Sequence, residues 1–286
     1  MAELTVRDST SVGLTRLGRP ANATADELGP LGDLVGTWIG SHGWELIAVP
    51  TQSNGSEGFR LIVRPYIEVL TFSAIGAPVP NRGGPAGDTF VTGLLYDTRI
   101  TDLETNEPLH LENGMWLYQG EGVEQPISRL ASIPHGDALL ALGTSITVAG
   151  PPEIPSISAI PDAGPDMPLG YTDSYLTAVD GFHPGRPNDV LQQAIAGKDV
   201  VQTITLSAST QDGGGIASIP FVASNANATA FSCTFWIETI RDPATGDEVQ
   251  QLQYSQQTDI EFLPQFGNPG QLIMWPHVNV NTLLKQ

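Results

Sequence analysis

The chain has 286 residues, 40% hydrophobic and 15% charged, which places it among folded globular chains and outside the disordered class. Twelve Lys and Arg against 31 Asp and Glu give a net charge of -19. A field of that sign repels phosphate backbones and anionic lipid, so neither nucleic acid nor a membrane is an expected partner.

Cys233 is the only cysteine, which leaves no intrachain disulfide and no cysteine-rich metal site among these residues. Its place between Phe231 and Phe235 reads as a small buried apolar residue rather than a nucleophile. The N-terminal stretch lacks the apolar core of a signal peptide, and no run of ~18 apolar residues occurs. The expected location is therefore cytoplasmic.

Residues 1–25 are polar and aperiodic and read as a loose arm preceding a single domain, 26–286. Asp26 to Val35, ending at Gly36, carries acids at its start and reads as a short helix or 3₁₀ segment able to plug one end of a barrel. From Thr37 onward, alternating and β-branched residues give the period-2 signature of half-buried strands. Ten strands are expected: 37–49, 59–75, 88–98, 107–118, 126–133, 138–148, 199–208, 228–241, 248–262 and 271–284. So many strands curl rather than lie flat, and closing the sheet removes its edges. Strong turn chemistry separates them at Ser53-Asn54-Gly55-Ser56, at Asn81 to Pro85 and at Asp242 to Asp247, the last as a hairpin loop. The stretch 150–198 breaks the pattern with six prolines between 151 and 168 and a short helical segment at 188–195. It reads as an irregular insertion packed over one face of the barrel. The fold class is all-β, an antiparallel up-and-down barrel of roughly ten strands with a short N-terminal helix.

The five histidines, His42, His110, His135, His183 and His277, form no HExxH pair and no zinc-finger spacing. No GxSxG elbow, GxGxxG turn or P-loop occurs either. His277 is set apart by its surroundings, Met274-Trp275-Pro276-His277-Val278-Asn279-Val280. Val278 and Val280 share one face of a strand, and His277 and Asn279 share the other. If the valines pack outward beneath the insertion, His277 points into the barrel. His110 reads as structural, bonded to Glu112 or a neighbouring strand, and His135 as a turn residue, with a place overlooking the cavity as the alternative. His183 belongs to the insertion.

The run Leu34-Val35-Gly36-Thr37-Trp38-Ile39-Gly40 resembles the GxWxGxG entry strand of the nitrobindin family of haem-binding β-barrels. Further pieces fall in the same order. Tyr66 to Val69 with Gly76-Ala77-Pro78 resembles that family's second strand pair, and His110 to Leu117 its (H/R)xExGFxR strand. The 229–262 hairpin is similar to its penultimate pair, and His277 to Lys285 to its last strand. The match covers roughly 34–148 and 199–286. The resemblance implies a calycin-type barrel holding haem b, with His277 as the axial ligand on iron. It sets Gly36, Thr37, Trp38 and Gly40 at the cofactor. His42 stands where the family has its third glycine, followed by Gly43, so either the strand shifts by one or an imidazole enters near the pocket rim. The implied chemistry is binding of NO or another diatomic, or turnover of peroxynitrite or peroxide. The same barrel without iron would carry a fatty acid or other small apolar ligand, and a barrel enzyme acting on a hydrophobic metabolite is a third reading. A homodimer is left open as the assembly.

Overall fold

The computed structural model describes residues 27–53, 56–81 and 89–286; the expected arm at 1–25 lies outside them. After a 3₁₀ turn at Gly29–Leu34, eleven strands follow: β1 (Gly36–Ser53), β2 (Ser56–Ala74), β3 (Val79–Asn81), β4 (Thr89–Asp102), β5 (Pro108–Tyr118), β6 (Ile127–Ile133), β7 (Asp137–Ala149), β8 (Asp199–Ser218), β9 (Asn227–Arg241), β10 (Glu248–Gln265) and β11 (Asn268–Lys285). Two short helices interrupt them, α1 (Asp189–Ile195) and α2 (Pro220–Asn225).

Each long strand pairs antiparallel with its neighbour in the sheet, and β1 pairs with β11. The pairing of β2 with β4 closes the circle, leaving β3 as a three-residue strand paired with the start of β4, ahead of the stretch that pairs with β2. The result is a closed ten-stranded antiparallel barrel, as the strand pattern anticipates; the turns expected at 53–56 and 81–85 fall on residues 54–55 and 82–85, outside the described ones. The hairpin joining β9 and β10 forms where expected, with Asp242 N–H donating to the Asp247 carbonyl at 2.8 Å.

One half of the barrel is filled. Leu28, Leu31 and Leu34 from the 3₁₀ segment enter a cluster with Trp38, Phe72, Leu94, Trp116, Phe235 and Leu283. The Trp38 indole is wholly buried, and its N–H donates to the Leu34 carbonyl at 2.7 Å. Lys285 at the end of β11 lies 5.1 Å from the Trp38 ring and donates to the Asp33 carbonyl at 2.7 Å. A large aromatic tied at its polar atom to the plug, with a cation over its face, fixes the 3₁₀ segment as the closed end. Cys233 is a buried free thiol in this same cluster.

The 150–198 segment packs against the outside of the wall. Ile154, Tyr175, Phe182 and Leu191 bury Leu46, Trp236, Val278 and Val280, and Trp44 stacks on Phe182 with ring centroids 4.8 Å apart. The valines flanking His277 in sequence thus face outward beneath the insertion, and the alternation of β11 turns His277 inward.

Candidate functional site

The other half of the barrel is hollow. A cavity of about 260 Å³ is lined by Glu45 and Ile47 of β1, His110 and Glu112 of β5, His135 of the β6–β7 turn, Asp137 of β7, and His277 and Asn279 of β11. Ile133, Leu139, Ile216, Phe231 and Ile260 supply an apolar wall, and Val222 of α2 borders it. Three of the five histidines therefore meet in one cavity although the sequence separates them widely.

His277 Nε2 lies 3.3 Å from Glu45 Oε1. Glu45 reaches that position because β1 carries one extra residue between Gly40 and Gly43, where its register against both β2 and β11 shifts. Before the bulge Trp38 faces the interior; after it Glu45 and Ile47 do, while Trp44 and Leu46 turn to the insertion. Gly43 is required at the bulge, since a Cβ there would come within 2.1 Å of the Tyr66 ring.

His110 is held by a second carboxylate. Its Nε2 lies 3.1 Å from Glu112 Oε2, and Arg129 donates to Glu112 Oε1 at 2.8 Å. The Tyr96 hydroxyl donates a short hydrogen bond to the same Oε1. Arg129 also donates to the Tyr96 oxygen at 3.3 Å and to Gln256 Oε1 at 3.0 Å. Burial pushes the Glu112 carboxyl up, but the Arg129 charge and the His110 and Tyr96 bonds outweigh it and hold the group at about 2. Gly114 lets Tyr96 into this arrangement, because a Cβ there would sit 1.9 Å from the Leu130 carbonyl and 2.8 Å from the Tyr96 ring.

The His135 ring lies 5.4 Å from that of His110. Partial burial first, then the neighbouring imidazoles of His110 and His277, lower the His135 imidazole from its ordinary value and so favour its neutral form. Asp137 accepts from the Ser218 hydroxyl at 2.7 Å. Deeper in, Glu68 accepts from Thr98 at 2.9 Å, Tyr254 at 2.7 Å and Asn281 at 2.8 Å, and burial raises its carboxyl.

Of the residues that the sequence sets at a cofactor, only His277 lines this cavity. Trp38 is part of the filled end. Gly36 stands beside the Lys285 side chain, and Gly40 lies against the Thr282 carbonyl in a tight backbone passage. The Thr37 hydroxyl lies 3.4 Å from that of Thr71. His42 is exposed beside Ser41, on a broad outer groove shared with Trp44 and Lys198. The alternative raised by His42 resolves as a strand shift: the bulge absorbs the extra residue and turns the imidazole to the outside. Glu45 and Arg129 are the residues that the sequence did not single out. Arg129 carried no signal beyond being a cation in a strand-like run, and the bulge hid Glu45.

No family model matches the chain, and no curated protein does. Among solved structures the chain is similar to Rv2717c from M. tuberculosis, at 18% identity and a TM-score of 0.44 over 94% of this chain and 98% of that one.

Proposed function

We propose that this barrel binds one small molecule in the three-histidine cavity and that the molecule is haem b, with His277 as its axial ligand. The observation that carries the reading is the inward His277 imidazole, braced at one nitrogen by Glu45 at 3.3 Å. A carboxylate behind an imidazole fixes the ring for a metal at its other nitrogen. Haem iron brings four in-plane donors and asks the protein for as little as one. A bare ion asks for three or four, and among the described residues no group of three or more His, Cys, Asp or Glu is placed to hold one. The nitrobindin resemblance, carried by Gly36-Thr37-Trp38-Ile39-Gly40 and the His277 strand, supports the same choice. Bound haem would supply an open coordination position for NO, another diatomic or a peroxy ligand. The chain's own part is to brace His277 and to face the ligand with the wall of Ile133, Leu139, Ile216 and Phe231.

The volume favours a second reading alongside it. About 260 Å³ falls just under the ~300–1,000 Å³ of sites that bury a drug-sized molecule whole. A macrocycle would be only partly enclosed, whereas a smaller apolar ligand would be enclosed entirely, as in an iron-free carrier.

Absorption spectra of the protein after haem titration separate the two. A Soret band that His277→Ala abolishes supports axial ligation, and a band unchanged in that variant removes it. Failure to take up haem, together with an apolar compound recovered by organic extraction and mass spectrometry, supports the carrier.

A further inference from the structure

The second carboxylate–imidazole pair, His110 with Glu112, has no part in holding His277. Glu112 is kept ionised by Arg129, whose side chain is only 4% exposed and is surrounded by the rings of Tyr96, Trp116, Phe231 and Phe235 at 5.1–5.5 Å. An ionised carboxylate accepts but does not donate, so in the neutral ring His110 Nε2 carries the proton and Nδ1 the lone pair. Among the described residues Nδ1 has no hydrogen-bond partner, and the ring lines the cavity. An imidazole oriented by a buried anion, on a ring that lines a cavity with a largely apolar wall, is the arrangement of a general base.

We propose that His110 is a catalytic general base acting on small, partly apolar carbon or oxygen acids that enter the cavity. The inference rests on the reading that the cavity admits a small molecule, and not on iron. In the step, the Nδ1 lone pair takes the ligand's proton, an N–H bond forms as the C–H or O–H bond breaks, and the electron pair stays with the ligand. The positive charge left on the ring faces Glu112. The other ionisable groups around His110 are Glu68 on β2, Glu45 on β1, Arg129 on β6, His135 and Asp137 at the β6–β7 turn, and His277 on β11. The carboxylates favour the imidazolium, while Arg129 and the other imidazoles oppose it.

The test uses the purified full chain without added haem and 5-nitrobenzisoxazole as probe. A base removes its ring C–H proton, that electron pair completes a nitrile, and the N–O bond opens to a coloured phenolate, with no co-reactant. Binding of the unreactive analogue 5-nitroindazole is measured in parallel by calorimetry. General-base catalysis is worth ~10²–10⁴-fold, so His110→Gln and His110→Asn, each shown to bind nitroindazole, are expected to lose at least about tenfold in kcat with KM little changed. If nitroindazole does not bind the wild type, the cavity reading fails and the inference with it. If it binds and His110→Gln keeps the wild-type rate, only the assignment of His110 is overturned.

Discussion

Glu45 and His277 are not partners in the β1–β11 ladder, where Glu45 stands opposite Asn279 and Leu46 opposite Val278, yet their side chains meet at 3.3 Å inside the barrel. The contact runs diagonally across two strands, within the reach of long side chains on one face of an antiparallel pair.

Removing the brace should loosen the ligand. Second-shell carboxylates on metal-bound imidazoles are worth ~10–100-fold in affinity, so Glu45→Ala is expected to weaken haem binding by about tenfold or more. Titration followed at the Soret band reads the change directly. An affinity equal to wild type would show that Glu45 does not position His277.

Acid should destabilise the barrel through Glu112. Its folded-state carboxyl sits at about 2, below the usual value of 4.5, so the stabilisation is fully present above pH ~4.5 and is lost as pH falls toward 2. A depression of this size corresponds to a contribution on the order of 3 kcal/mol. Urea unfolding between pH 7 and pH 2 should show a falling midpoint in the wild type and a flatter one in Glu112→Gln. Arg129→Met leaves the carboxylate buried without its cation and should cost ~3–5 kcal/mol at pH 7.

Glu238 has the opposite sign. Wholly buried beneath the insertion, it accepts from Gln251 Nε2 at 2.6 Å, while its other oxygen has no partner. Burial lifts it to about 8, partly offset by the Gln251 bond and the Lys198 charge. The unfolded chain therefore loses this proton more readily than the folded one, and stability declines as pH rises from ~4.5 through 8. Glu238→Gln should raise the unfolding midpoint at pH 8 and leave it nearly unchanged at pH 4, as measured by denaturant titration at both values. Equal effects at the two pH values would contradict the assignment.

His42 lies outside the cavity, so His42→Ala should leave haem affinity unaltered and change stability by no more than ~0.5 kcal/mol. A Soret shift in that variant would put the imidazole near the iron after all.

Much of the architecture was legible because alternation persists through most strands. Each of the ten expected strands overlaps one strand of the closed barrel, and the helical segment at 188–195 becomes α1. Residues 209–218 lay beyond the expected strand, since Gly213, Gly214 and Gly215 carry no side chains to show alternation. Here they continue β8 across a register shift opposite Ala141 and Leu142, with all three at positive φ. The inward turn of His277 could be read from Val278 and Val280, because β11 holds an unbroken register against β10 along Ile273–Leu284. Glu45 could not be read this way, since counting in twos from Trp38 puts it on the outer face. The His110–Glu112 bond follows from i, i+2 spacing on one strand, but the link to Arg129 depends on pairing between β5 and β6, which local sequence does not carry.

The irregularity at Ser41-His42-Gly43 acts as a switch of sidedness for everything that follows in β1. Run straight through that point with every residue kept and no bulge, the same strand would send Trp44 and Leu46 into the hollow and expose Glu45 and Ile47 to the insertion. The pocket would then be stoppered by indole and the outer seam broken by an acid. The one extra residue is therefore what separates a receptor from a solid plug on the same barrel topology, and deleting it outright would keep Trp38 and Glu45 on the same inner face of a regular strand.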